Sequence, residues 1–455
     1  MDCTVFGRKN VNTRNRVDRF VLPREYVNEM RRRSWPPGCD SGPLDLNYSV
    51  KSKIGEKLKH KRYANYLDKA LGVHRDPCTP LRQLWPCIPR KKSFLSSADS
   101  ILDLPKYSDA IFPELLDWSK DNILVAALGS NYHKLSCSSQ TIVSQVFTRY
   151  EIQCCKFDPR GELLLLGTHM GRVEIHNNAR NKRETEAKCQ CVRQRVLNAS
   201  KAEFEIHYCS VTAVDWSPTG NSFVTGCSFG VVMSLTRAAE VVSCRRVLRD
   251  PICLARVSPD ARYAAVTAVN SAVVLLLTWP ALDISSTMNS DCMIKTITWH
   301  PWRSALLGVG AVTSELQARV VVWNAPTNEV QERKLAPKPF SLDAMLFSDR
   351  TGELVASLWN SENALFYPKI CSQLVVLSNP ETVVDQWGEG PSWPDRVRTM
   401  VFNPDGTKLA TATSDEDLII WNFLPEDKVK KNPKRKRFSA LPVYQDQATH
   451  GFSIR

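Results

Sequence analysis

No stretch of this chain approaches the ~18 consecutive apolar residues that a membrane-spanning helix needs. The first ten residues, MDCTVFGRKN, hold no apolar core of the kind a secretory leader carries. Both absences predict a protein that neither crosses a membrane nor is exported. Fifteen cysteines, an odd number, fit that expectation as reduced thiols of a cytoplasmic and nuclear protein. Signatures of chemistry are scarce as well. There is no Gly-rich phosphate loop of the P-loop or dinucleotide type, and no His-Glu-x-x-His. The eight histidines are scattered, and no nucleophile stands beside a recognisable base. The expectation is a binding protein, not an enzyme, with no cofactor.

What the chain does have is a repeat. Arg396 to Asn422 reads as three strands, with Val397, Thr399 and Val401 alternating, then Lys408 to Thr413 and Leu418 to Trp421 as β-rich runs. Asn403-Pro404-Asp405-Gly406 supplies a turn, because Pro presets φ and Gly tolerates positive φ. The same strand-turn opening recurs at Phe157-Asp158-Pro159, Trp216-Ser217-Pro218, Val257-Ser258-Pro259, Trp299-His300-Pro301 and Phe347-Ser348-Asp349. Pro218, Pro259 and Pro301 fall about forty residues apart, the period of a WD-type propeller blade. Each opening is followed by a β-rich close: Val173 to Ile175, Val231 to Met233, Val273 to Leu277, Val320 to Trp323 and Leu365 to Tyr367. With a first blade at Leu116 to Trp118 and Ile123 to Leu128, seven are counted. A lone blade cannot bury both apolar faces, so the prediction is an all-β, seven-bladed WD-type propeller. The repeats are degenerate: only blades five and seven end in Trp-Asn, and no Gly-His dipeptide occurs. Apolar packing must therefore replace most of the usual polar network within blades.

The predicted organisation is a disordered basic arm over 1–98, the propeller over 99–424 and a short basic tail over 425–455. The net charge of +13 is concentrated in Arg8 to Arg33, Lys51 to Lys69 and Lys428 to Arg437. Tyr63, Tyr66, Leu67 and Leu71 stand at helical spacing within the arm. A ring of sheets must be closed, so the strand-like Ile101 to Leu104 is assigned as the outer strand of blade seven. Asn177 to Ala202 is charged and aperiodic, and is expected to project as a loop. Cys189-Gln190-Cys191, with His207 and Cys209, does not have a standard zinc spacing, so no metal is expected there.

In order along the chain, Leu102-Asp103, Leu115 to Ser119, Ile297 to Ser304, the last blade and Ile454-Arg455 resemble the Fizzy and Fizzy-related activators of the anaphase-promoting complex. The likeness covers nearly the whole chain and is strongest to an insect branch of the family. It implies a substrate-recruiting co-activator of a ubiquitin ligase, controlling cell-cycle progression and, from that branch, meiosis. The implied partners are the ligase subunits and degron-bearing substrates such as cyclins, with the free protein a monomer. Asp18-Arg19-Phe20-Val21-Leu22-Pro23 resembles the family's docking box, with one residue inserted before Pro23; Ile454 and Arg455 match its terminal docking dipeptide. The Tyr63 to Val73 stretch resembles a docking helix of the Fizzy-related type. The resemblance places destruction-box binding between blades one and seven. There Asp117 and Glu416 would meet the degron arginine, and Leu116 would line a leucine pocket. Of the Lys-Glu-Asn receptor, Arg396 and Thr313 remain. Val269, Ser271 and Ser341 replace its amides, so that degron should be read weakly.

The competing reading is a basic scaffold propeller for nucleic acid or histones. Its support is the net charge. Against it, the Lys428–Arg437 run carries no aromatic that could stack on a base, so nucleic acid is not the expected partner.

Overall fold

The computed structural model describes residues 84–95, 98–107, 112, 114–137, 139, 141–191, 209–303, 305–336, 339–363, 368–387 and 396–425. These residues form seven four-stranded antiparallel sheets, the predicted propeller. The innermost strands are Leu116–Trp118, Ile152–Phe157, Val211–Trp216, Ile252–Val257, Met293–Trp299, Ser341–Phe347 and Val397–Phe402. The second strand of each blade is covered on both faces by neighbouring blades, so most of its described residues are buried, and in some blades almost all of them are apolar or glycine. Leu163–Thr168 (LLLLGT) and Leu306–Val312 (LLGVGAV) are buried at every position. Outermost strands are covered on one face at most and are largely exposed; Lys182–Lys188 is charged along its length, while Thr141–Phe147 leaves Ile142, Val143 and Phe147 exposed.

The ring closes as the sequence predicts. Ala98–Asp103 pairs antiparallel with Asp417–Asn422, with Leu102 opposite Leu418 and Asp103 opposite Asp417. The Leu104 N–H then donates to the Glu416 carbonyl at 2.6 Å. Leu104, Leu116, Trp118, Ala410 and Leu418 share one buried cluster, so blades one and seven are joined by core as well as by ladder.

Each blade is an up-and-down meander. The start of its first strand, the turn between its second and third, and the end of its fourth must lie on one face, here called the entry face. The other turns lie on the exit face.

Two expectations need correction. Packing onto the propeller begins before residue 99. Trp85 is 1% exposed and meets Phe347 edge-on, with ring centroids 5.8 Å apart. His300 joins this segment to blade five: its Nε2 donates to the Pro86 carbonyl at 2.7 Å, while Nδ1 accepts from the Trp302 and Arg303 amides at 3.2 Å. Arg90 is buried between Glu353 and Asp385, at 2.9 and 2.7 Å. Its guanidinium also lies over the Phe423 ring, 4.1 Å from the centroid. Residues 84–95 thus clasp blades five to seven on the exit face. Second, Asn177 to Ala202 is not all loop, because Lys182–Lys188 is the outer strand of blade two. Its charges suit an edge, where Glu186 pairs with Arg172 across the ladder at 2.6 Å. In blade six the third strand is Pro368–Asn379, paired with Leu354–Asn363; the expected close at Leu365 to Tyr367 lies outside the described residues.

Candidate functional site

The seam between blades one and seven is built by the closing strand. Leu116 and Asp117 lie on the innermost strand of blade one. Glu416 sits in the turn between Lys408–Thr413 and Asp417–Asn422, on the entry face, at φ +67°. Both acids that the resemblance sets against the degron arginine already have partners. Asp117 is 4% exposed and turns toward blade two. Its Oδ1 accepts from Lys156 Nζ at 2.8 Å and its Oδ2 from the Phe157 N–H at 2.7 Å. Glu416 Oε1 accepts from the Lys106 N–H at 2.9 Å. Leu116 is buried in the seam core rather than lining an open pocket. Beside it, Tyr107 is buried, and its carbonyl accepts from Arg398 at 3.2 Å.

Asp117 has a counterpart that explains its fixed pose. In blade three, Val214-Asp215-Trp216 repeats Leu116-Asp117-Trp118, and Asp215 Oδ2 accepts the Val257 N–H of the next blade at 2.8 Å. The acid before Trp therefore serves as an inter-blade link at two places. Charges alternate along the inner strands of blades one to four, as Asp117, Lys156, Asp215 and Arg256. Burial works against the Lys156 ammonium, but Asp117 and Asp215 hold its pKa above the ordinary lysine value. Burial pushes Asp215 up to about 7, with Lys156 pulling the other way. Arg256, lowered to about 10 by burial, reaches across to Glu114 before blade one; one nitrogen lies 3.1 Å from Oε2 and the other bonds Oε1.

The remaining receptor positions also lie on the entry face. Arg396 precedes the first strand of blade seven and is held by a two-point contact with Asp343, 2.9 Å from Nη2 to Oδ1. Its guanidinium lies 4.1 Å from the Trp359 ring centroid. Thr313 closes its own turn: its Oγ1 accepts the Gln317 N–H at 3.1 Å. Val269 and Ser271 occupy the turn between Tyr263–Ala268 and Val273–Thr278, and Ser341 is buried at the start of its strand. Asp18, Arg19, Phe20, Pro23, Ile454, Arg455 and the Tyr63 to Val73 stretch lie outside the described residues.

One pentapeptide, Gly226-Cys227-Ser228-Phe229-Gly230, matches the Gly-x-Ser-x-Gly pattern of a nucleophile elbow. Its surroundings differ from an elbow, which joins a strand to a helix. Here it is a turn between Ser222–Cys227 and Val231–Thr236, and Ser228 Oγ accepts the Ser210 N–H at 3.0 Å.

Comparison with known proteins agrees with the geometry. The family model described as "WD domain, G-beta repeat" matches residues 198–230 and 389–422. Protein cortex of Heliconius erato is 61% identical over all of both chains. Protein FIZZY-RELATED 1 of Arabidopsis thaliana is 24% identical over 75% of this chain and 65% of its own length. Among solved structures, a chain in "Crystal Structure of Mitotic Checkpoint Complex" superposes with a TM-score of 0.58 at 19% identity. That match covers 77% of this chain and 99% of the other.

Proposed function

Since the chain belongs to the cortex family of WD-repeat proteins, we propose that it is a non-catalytic co-activator of the anaphase-promoting complex, recruiting degron-bearing substrates in meiotic cell-cycle control. The observation that carries this reading is the closure of the ring by Ala98–Asp103. It sets blade one against blade seven, where the resemblance to Fizzy-type activators puts the destruction-box groove. In this reading Glu416, at the entry-face rim, receives the degron arginine. Asp117 takes part by exchanging its Lys156 contact for a guanidinium, which presents a planar fork where the ammonium is a point charge. Leu116 supplies apolar wall. Arg396 and Thr313 form a reduced Lys-Glu-Asn receptor.

Docking on the ligase is assigned to Asp18, Arg19, Phe20 and Pro23 at one end and Ile454-Arg455 at the other. Two weak contacts on one chain reinforce each other through effective concentration. The test is co-purification of ligase subunits with the tagged full chain. Removing Ile454-Arg455, or replacing Arg19 by Ala, should each weaken recovery, and the combination should nearly abolish it. Unchanged recovery with the combined variant would refute the docking assignment.

A further inference from the structure

On the entry face, where blade two meets blade three, four cysteines converge. Cys189 and Cys191 follow the outer strand of blade two. Cys209 precedes the inner strand of blade three, and Cys227 ends that blade's second strand. Their four Sγ atoms all lie within 4.8 Å of one another. Cys191, Cys209 and Cys227 are buried, Cys189 is partly buried, and all four are free thiols. We propose that these residues hold one zinc ion in a tetrahedral four-thiolate site that fastens blade two to blade three.

The geometry carries this in three ways. Zinc–thiolate bonds are about 2.3 Å, so the sulfurs of a tetrahedral site stand about 3.8 Å apart. A cluster bounded by 4.8 Å needs only a small contraction around an ion. Two disulfides would instead draw the sulfurs into separate pairs about 2.05 Å long. Second, the backbone around the sulfurs is already fixed. The Cys189 N–H donates to the Gly171 carbonyl at 2.8 Å, and the Ser210 N–H is held by Ser228 Oγ at 3.0 Å. The Phe229 N–H points at Cys227 Sγ at 3.4 Å, the kind of outer contact that orients a thiolate ligand. Third, room for Cys209 depends on a glycine. Gly171 has φ +67°, and a Cβ there would come within 3.0 Å of the Cys209 carbonyl and 3.2 Å of its Cβ.

Soft thiolates in a closed four-ligand shell suit zinc rather than calcium or magnesium. With all four positions taken by protein there is no open site for catalysis, so the role is structural. Cys191 and Cys209 border residues 192–208, which lie outside the described residues, so the ion would fix both residues that border that segment. Sequence spacing hid the site. Cys189-x-Cys191 with Cys209 looks incomplete, and the fourth ligand comes from a strand end that only the fold brings near. The expectation of no metal rested on that spacing. The inference stands apart from the ligase reading.

The experiment is metal analysis of the full chain, expressed with zinc available and purified under reducing conditions without chelator. About one zinc per chain is expected. Cys209→Ser and Cys227→Ser should each reduce zinc at least fivefold, while Cys137→Ser, a thiol elsewhere in blade one, should leave it unchanged. Loss of fold in the variants cannot mask the answer, because the unaltered protein gives two further readings. Cobalt in place of zinc should show the thiolate charge-transfer and tetrahedral visible bands. The four cysteines should also resist alkylation until a chelator is added. A metal-free protein, iron in place of zinc, or disulfides among the four cysteines in peptide mapping would each overturn the proposal.

Discussion

Replacing Arg90 by Met keeps the side-chain length and removes the one cation between two carboxylates. Both acids are fully buried, with side-chain exposures of 0%, and the Arg90 side chain is at 1%. The guanidinium donates to Glu353 from Nε at 3.1 Å and Nη2 at 2.9 Å, to Asp385 from Nη1 at 2.7 Å, and to the Phe423 carbonyl at 3.1 Å. Removing one partner of a buried ion pair typically costs ~3–5 kcal/mol, because the charge left behind has no solvent. Asp385 is the better protected acid. Burial would raise its pKa, but the Phe94 and Leu95 amides, the Ser93 hydroxyl and Arg90 together hold it below the ordinary value. A depressed carboxyl contributes stability above its unfolded pKa and loses it as pH falls. Arg90→Met should therefore destabilise by roughly 3–5 kcal/mol near neutral pH, and the deficit should shrink on acidification as the stranded acids take up protons. Urea unfolding of the full chain measures this. The same variant should speed tryptic cleavage after the exposed Lys91 and Lys92 if the clasp loosens before the propeller unfolds. A stability change below about 0.5 kcal/mol, with unaltered cleavage, would refute the idea that this clasp is structural.

Glu416→Lys should weaken an Arg-x-x-Leu peptide at least tenfold in a titration, and an Arg→Glu peptide should recover part of the loss; wild-type affinity would remove Glu416 from the site. Lys-Glu-Asn peptides should bind more weakly than destruction-box peptides, because Val269 leaves a buried polar partner unmatched at about 1–3 kcal/mol; equal affinities in the same titration would contradict this. Burial raises Asp215 to about 7, so ionising it costs stability between about pH 4 and 7. Asp215→Asn should flatten the fall in melting temperature across that window, and a parallel pair of curves would show that Asp215 stays ionised throughout.

The blades were legible because Pro and Gly turns recur at a regular period, and because a strand buried on both faces is mostly apolar. Ring closure was legible because Ser100 to Leu104 reads as a strand with no partner before blade one. The clasp was hidden. Trp85 to Leu95 is rich in Pro, Lys and Arg, and nothing local says that Arg90 will find two acids from blade six. Lys182–Lys188 misled for the opposite reason: an outermost strand needs almost no apolar residues. Asp117 was singled out through the family resemblance, but its partner Lys156 is set by blade order, not by spacing. The four cysteines show the same limit, since Cys227 is brought to the others by the packing of blade three on blade two.

The most direct test of the co-activator reading is reconstitution. Purified anaphase-promoting complex without its own activator is supplied with the full chain, ubiquitin, the upstream enzymes and a cyclin fragment bearing an Arg-x-x-Leu degron. The account predicts ubiquitin chains on the fragment, lost when the degron arginine and leucine are changed to Ala and when Ile454-Arg455 is removed. Full-chain protein that leaves the ligase inactive on every degron-bearing substrate, while the ligase responds to a Fizzy-type activator in parallel, would contradict it.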